Sequence, residues 1–341
     1  MYEPRSTDRT SILLDEAGSF CIIAVTPFFF FLFYWIAYND FRAELSTAAG
    51  ALFSEKSSFF ADRMPYPTAV SVVGYAIWVL VQAALYHGLP GHLHQAPRTP
   101  GGRRLLYRLN GMRAWIITVG IAAAASYLEL IDAAFIARNW GALLATANLY
   151  SLALVVIFYI KARVKPDNVG ETLFTGKYRD LSFMALQYQL YGEVTNSMLI
   201  AIVFRAIIVG EYFLYEEWFF ETLDGAHERF SFYNIYGFAA TMPQIWTLQT
   251  HYLVLHPVKL SNSEALAVVA AFAVGWSLNH YANEQKSRSR QTGGKMTIWG
   301  REAQVLEATF GTADGKKHRT VLLCSGMDPS CHNLHKRVSK P

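Results

Sequence analysis

The sequence predicts an all-α fold: a polytopic transmembrane helix bundle with a short soluble C-terminal tail. Three observations predict it. First, 52% of the residues are hydrophobic and only 16% are charged, whereas a soluble domain carries about 25% charged residues. Second, the apolar residues come in long blocks rather than at a period of 2 or 3.6, and a block of about 18 or more with few charges reads as a bilayer span. Third, charge is uneven: from Asn283 onward there are 11 Lys and Arg against 5 Asp and Glu, a net +6, which leaves −2 for residues 1–282. A basic tail beside a membrane reads either as a positive-inside topology signal or as a surface for anionic lipid or a phosphate-bearing ligand.

Residues 1–19 form a polar N-terminus containing Glu3, Arg5, Asp8 and Arg9. No cleavable signal is evident, because the apolar block that follows is too long for one. Residues 20–282 form the membrane domain, with about seven spans and a partial one. The spans are expected at 20–38, 68–89, 115–136, 142–160, 194–215, 230–255 and 266–281, and the partial one at 181–190. Between the second and third spans lies a basic loop with Arg98, Arg103, Arg104, Arg108 and Arg113. A second basic loop holds Lys161, Arg163, Lys165, Lys177 and Arg179. Residues 283–341 form the basic tail, with short strands expected at 297–298, 305–310 and 320–324 and a hairpin turn at Asp314-Gly315.

The positive-inside rule places both basic loops in the cytosol. Three full spans then separate the second loop from the tail, which strands the +6 tail on the opposite side. One extra crossing repairs the parity, and the partial segment 181–190 is where it belongs. Either a spanning segment is missing near 177–181, or the stub is re-entrant.

Glu216, Glu217, Glu221, Asp224, His227 and Glu228 crowd between two apolar blocks. Ionisable groups at membrane depth are costly and usually functional. An exposed acidic loop between spans explains the composition equally well. Lys286 and Arg290 stand four residues apart just beyond the last span, so they present two cations on one helix face; a juxtamembrane anchor is the alternative. Tyr233, Tyr236, Trp246, Gln249 and Tyr252 spot the span at 230–255, as an aromatic slot or as ordinary packing. No Gly-x-Gly-x-x-Gly occurs, so no Rossmann site is expected. The cysteines Cys21, Cys324 and Cys331 have no metal or disulfide spacing. His87, His92 and His94 lie in a Gly/Pro-containing loop with no carboxylate partner, so no metal site is expected there.

From about residue 89 to 326 a series of motifs stands in order: Leu89-Pro90-Gly91, Tyr107-Arg108-Leu109-Asn110-Gly111, Phe174-Thr175-Gly176, Val194-Thr195-Asn196-Ser197-Met198, Glu216-Glu217-Trp218 and Thr222-x-Asp224-x-x-His227-Glu228. They continue with Thr247-Leu248-Gln249, His256-Pro257-Val258, Asn283-x-Gln285-Lys286-x-x-x-Arg290 and Ile298-Trp299-Gly300-Arg301. In these the chain resembles the sterol reductase family, which includes the C14, Δ7 and Δ24(28) reductases and the lamin B receptor. The Thr-Leu-Gln and His-Pro-Val motifs resemble the Δ7 (7-dehydrocholesterol) branch most. The chain departs from the family in three ways. A Gly-x-Glu-x-Asn-Pro-Arg stretch and most of a span are missing between Gly176 and Leu181. The family's further spans do not follow Gly326. Glu228 and Ser231 replace Asp and Gly.

The resemblance implies an NADPH-dependent sterol C=C reductase of sterol biosynthesis, in the endoplasmic reticulum membrane, with basic loops and tail cytosolic. It implies a catalytic region at Glu216, Asp224, His227 and Glu228. Alkene reduction of this kind needs a neutral acid to protonate the double bond and a nicotinamide hydride for the resulting cation. Crowded carboxylates in low dielectric provide such an acid. The resemblance further implies contacts from Lys286, Arg290, Trp299 and Gly300 to the cofactor, and from Tyr233, Trp246, Gln249 and Tyr252 to the sterol. The expected partners are the sterol and the lipid bilayer, with no nucleic acid. The alternative is a non-catalytic sterol- or partner-binding membrane protein derived from a reductase.

Overall fold

The structure, a computed structural model, describes residues 25, 33–98, 102, 104–164, 179–221, 235–312 and 315–324. Of the first expected span it therefore describes Val25 and the stretch from Phe33, which contains α1 (Tyr34–Asp40). Two short helices follow, α2 (Leu45–Glu55) and α3 (Ser57–Ala61). Next comes α4 (Ala69–Gly88), started by a capping box in which the Thr68 hydroxyl accepts from Ser71 N and the Ser71 hydroxyl accepts from Thr68 N.

In place of the first basic loop, the chain forms an antiparallel hairpin, β1 (His92–Arg98) with β2 (Arg104–Leu109), in the register His92↔Leu109 and His94↔Tyr107. The many cations of this segment mask its strand character. The chain then turns into α5 (Gly111–Tyr127), which stops nine residues before the expected end of its span. Polar residues end it: Glu129 adopts a positive φ of 57°, and the Asp132 carboxylate takes the backbone N–H of Ala134 at 2.9 Å to open the short α6 (Phe135–Arg138).

After α7 (Trp140–Val164) come α8 (Arg179–Tyr191) and α9 (Asn196–Leu214). A four-residue helix, α10 (Glu217–Phe220), follows. The described part of the polar-spotted span is broken rather than continuous: a π-helical turn (Gly237–Thr241), then α11 (Met242–Ile245), then α12 (Leu248–Leu255). The last helix, α13 (Asn262–Gln291), has 30 residues and is far longer than expected. Its apolar part continues without interruption into the polar stretch, where Glu284 and Arg288 pair at 3.7 Å one turn apart. Two positive-φ glycines, Gly293 (62°) and Gly294 (84°), then end it. The tail forms the hairpins β3 (Thr297–Ile298) with β4 (Arg301–Glu302) and β5 (Val305–Gly311) with β6 (Lys317–Leu323), close to the expected strands.

Four of the described helices are long and apolar enough to cross a membrane: Ala69–Gly88, Asn196–Leu214, Asn262–Gln291 and the Trp140–Phe158 part of α7. The chain is thus a helical membrane protein, and its helices alternate between two ends. The β1–β2 hairpin marks one. The opposite end gathers the α6 turn, the 192–195 turn and the 256–261 loop. Helix α8 lies in the half of the bundle next to that opposite end: Ser182 Oγ accepts from Ala137 N at 3.1 Å, and Phe183 packs on Trp140. Its 13 residues, about 20 Å at 1.5 Å each, make it shorter than a full span. Helix α9 then climbs back, α12 descends, and α13 climbs, so the tail leaves at the hairpin end.

Two family motifs meet at the opposite end. Asn196 Nδ2 donates to Leu260 O at 2.7 Å while Leu260 N donates to Asn196 Oδ1 at 2.9 Å, and the Ser197 hydroxyl donates to Val258 O at 2.6 Å. The buried Gln187 joins them, accepting from Thr195 N and donating to Leu253 O at 2.7 Å. Two apolar clusters fill the bundle. Leu144, Val155, Ile235, Tyr236 and Ala240 form one, and Trp140, Phe183, Met198 and Val254 the other, with Trp35 touching both.

Candidate active site

Helices α9 and α13 run side by side in the same direction, and their contact line leads to the site. Phe204 stacks on Phe272 with ring centroids 3.8 Å apart. Further along, the Glu211 carboxylate accepts from Trp276 Nε1 at 2.7 Å and meets His280 Nδ1 at 2.7 Å. Beyond the end of α9, Tyr215 stacks on Trp218 at 4.2 Å, and both rings flank His280. At the end of the line, the Ser287 hydroxyl bonds the Glu221 carboxylate and the Arg290 guanidinium donates to the Glu221 carbonyl. Burial raises the Glu221 carboxyl above the ordinary carboxylate range; the Ser287 bond and the Arg290 charge oppose this, and Glu217 reinforces it.

The β1–β2 hairpin closes over this acidic segment. Phe220 stacks on Tyr107 at 4.2 Å and on His94 at 5.7 Å. Burial lowers the His94 pKa, against the pull of Glu217. Glu216 rests on Gly111, where a Cβ would overlap its Oε1 and come within 2.5 Å of the Phe213 ring. The neighbouring Asn110 amide donates to Tyr86 O at 2.9 Å and Leu89 O at 3.1 Å, while Arg108 reaches His87 O at 2.8 Å. These donors satisfy carbonyls left open at the end of α4. Gly91 lets the strands approach, since a Cβ there would stand 2.6 Å from Leu109 O. The Leu-Pro-Gly and Tyr-x-x-Asn-Gly motifs thus form one knuckle that ends α4 and seats Glu216.

A second polar cluster lies deeper. Arg205 on α9 faces Asp180 on α8, Nε to Oδ2 at 3.8 Å, with side chains 17% and 10% exposed. The Trp246 ring lies 5.2 Å below its guanidinium, and Thr250 donates to Asp180 at 2.8 Å. Gln249 Oε1 stands 3.4 Å from Arg205 Nη2.

The structure therefore brings Glu216 to the same end of the bundle as Lys286 and Arg290, which sit one turn apart on α13. Trp299 and Gly300 occupy the two-residue turn of the β3–β4 hairpin. Both have positive φ (49° and 77°), and Trp299 is 70% exposed. Trp246 and Gln249 join the Arg205 cluster. Tyr252 stacks on His256 at 4.6 Å towards the opposite end. Asp224, His227, Glu228 and Tyr233 lie outside the described residues. Among the described residues no three His, Cys, Asp or Glu side chains gather as a metal site. Sequence reasoning missed Glu211, His280, Asp180 and Arg205. The signal for Arg205 and Glu211 was present: each is an ionisable residue inside an apolar span. The assembled end offers half-buried carboxyls beside two cations. Such groups can hold a proton and pair with an anion.

The sequence profile of the ergosterol biosynthesis ERG4/ERG24 family matches residues 16–179 and 169–327. The chain is 30% identical to the 7-dehydrocholesterol reductase of Xenopus laevis over 89% of its own length and 75% of the relative's. It is 30% identical to that of Danio rerio over 91% and 75%. A Delta(14)-sterol reductase of Dictyostelium discoideum is 25% identical over 93% and 76%. The chain belongs to the ergosterol biosynthesis ERG4/ERG24 family, the membrane-embedded sterol reductases.

Proposed function

We propose that this chain reduces the C7–C8 double bond of a sterol with NADPH, in the endoplasmic reticulum membrane, with the hairpin end facing the cytosol. The observation that carries the reading is the packing of the acidic segment 216–221 against the α13 end that bears Lys286 and Arg290. A sterol double bond is an apolar group with no carbonyl to activate it, so its reduction requires a proton from an acid held neutral in low dielectric. Glu216, with Asp224, His227 and Glu228, supplies that proton. Lys286 and Arg290 fit a dinucleotide because two cations on one helix face engage phosphate by charge-assisted bonds, and Arg290 is exposed at the helix end. Trp299 and Gly300 border that side. A reduced nicotinamide, when bound, supplies the hydride. Tyr233, Trp246, Gln249 and Tyr252 hold the sterol skeleton.

The cytosolic orientation is supported by the cations that share one end of the bundle: Arg98, Arg104 and Arg108 on the hairpin, and Lys286, Arg288 and Arg290 on α13. The Δ7 assignment is supported by the Thr247-Leu248-Gln249 and His256-Pro257-Val258 motifs and by the 7-dehydrocholesterol reductases among the relatives. Expression in yeast strains accumulating either Δ5,7 or Δ14 sterols tests it. Loss of the Δ5,7 sterol alone is the expected result. Conversion of the Δ14 sterol alone moves the assignment to the other branch, and unchanged sterols despite stable protein in the membrane refute reductase activity.

A further inference from the structure

We propose that Arg205, together with Gln249, is the polar contact for the hydroxyl of a sterol that docks from the bilayer onto one face of the α11–α12 segment. The inference rests on the sterol reading above and names how that ligand is anchored.

Arg205 stands nine residues into α9, about 14 Å from its start at 1.5 Å per residue. That is near the middle of a hydrocarbon layer about 30 Å thick. A guanidinium at this depth requires partners, and it carries five N–H donors. Asp180 balances its charge, but at 3.8 Å the carboxylate lies beyond hydrogen-bond reach of Nε. Asp180 Oδ1 instead takes the Thr250 hydroxyl at 2.8 Å. Gln249 Oε1, at 3.4 Å, is a long contact. Trp246 covers one face of the guanidinium, and among the described residues only Asp180 and Gln249 approach its donor-bearing edge, both at long range.

The surface beside that edge has a pattern. Met242, Ile245, Gln249 and Tyr252 recur at three- and four-residue steps and form one outward stripe, on which Met242, Ile245 and Tyr252 are 38%, 40% and 47% exposed and Gln249 is also exposed. An apolar stripe facing lipid is ordinary, whereas an amide on it beside an arginine is not. A flat apolar ring system with a single hydroxyl complements both parts: the rings cover the stripe, and the hydroxyl accepts from Arg205 and donates to Gln249. A phospholipid headgroup stays at the interface and does not reach this depth.

The test uses the full chain in nanodiscs and measures energy transfer from tryptophan to dehydroergosterol, a fluorescent sterol bearing a 3-hydroxyl, with its 3-deoxy counterpart as the comparison. Hydrogen bonds to a charged group correspond to roughly a ten- to hundredfold preference for the hydroxyl. Wild type should show that preference, Arg205→Met should abolish it, and Gln249→Leu should reduce it. An intact preference in Gln249→Leu and in folded Arg205→Met overturns the proposal. If Arg205→Met fails to accumulate, the exposed Gln249→Leu decides alone. Equal binding of both sterols by wild type overturns the hydroxyl anchor and leaves the sterol reading standing. Binding of neither removes the sterol reading, and this inference with it.

Discussion

Glu216 rests directly on the backbone of Gly111, in a space that any side chain at position 111 would take. The contact couples the first residue of the acidic segment to the knuckle that ends α4. It also gives the glycine of the Tyr-x-x-Asn-Gly motif a physical function. Gly111→Ala should push the Glu216 carboxylate and the Phe213 ring aside while leaving the helices in place. A displacement of about 1 Å at a catalytic group costs on the order of 10²-fold in rate. Sterol turnover per inserted protein is the measurement, and wild-type turnover in Gly111→Ala would remove Glu216 from the proton-delivery role.

Glu211 is the shared acceptor of Trp276 and His280, and its side chain is 11% exposed beside His280 at 21%. Glu211→Leu leaves two half-buried ring N–H groups without it. Each unsatisfied donor costs about 1–3 kcal/mol. The variant should therefore melt earlier in detergent, and Glu211→Gln, which keeps one acceptor oxygen, should recover part of the loss. Identical melting of Glu211→Leu and wild type would contradict the pairing of α9 with α13 at this level.

Lys286→Ala combined with Arg290→Ala should raise the KM for NADPH and leave turnover at saturation less affected, because the phosphates are remote from the reacting carbons. Each lost charge-assisted bond is worth about 1.5–3 kcal/mol. Protease protection on the same membranes separates this from a topology effect. Reversed orientation with unchanged cofactor affinity would make the two residues anchors.

Glu221 carries a pH signature. Its carboxyl is raised in the folded chain by burial, so folding favours the neutral acid. That contribution is fully present below the ordinary carboxylate pKa of about 4.3 and is lost as pH rises through the raised value. Glu221→Gln stays neutral throughout. Its melting temperature should therefore gain on wild type as pH rises from acid to neutral, and a constant difference across the series would contradict the burial.

The apolar blocks made the helical membrane class legible, and the strands near 297, 305 and 320 followed from their local pattern. Parity of the basic loops drew attention to 181–190, where the structure has the 13-residue helix α8. The β1–β2 hairpin was hidden because its arginines carried a topology signal that outweighed its weak strand alternation. The length of α13 was hidden because hydropathy ends where its apolar face ends, while helical hydrogen bonding continues to Gln291. The order of the motifs singled out Glu216, Lys286 and Arg290, which the fold brings to one end of the bundle. Glu211, His280 and the Asp180–Arg205 pair needed the structure, because the meaning of each lies in a partner on another helix, far away in sequence.

The most direct test of the account is label transfer. Purified chain in nanodiscs is given 7-dehydrocholesterol and NADPH carrying deuterium at the transferable position, and the sterol product is analysed by mass spectrometry. The account predicts a product two mass units heavier from the added hydrogen pair, plus one more from a single deuterium on the newly saturated carbons, with loss of the conjugated-diene absorbance. A product reduced at C7–C8 without deuterium would contradict hydride transfer from the cofactor, and an unchanged diene in folded, cofactor-loaded protein would contradict the reductase assignment itself.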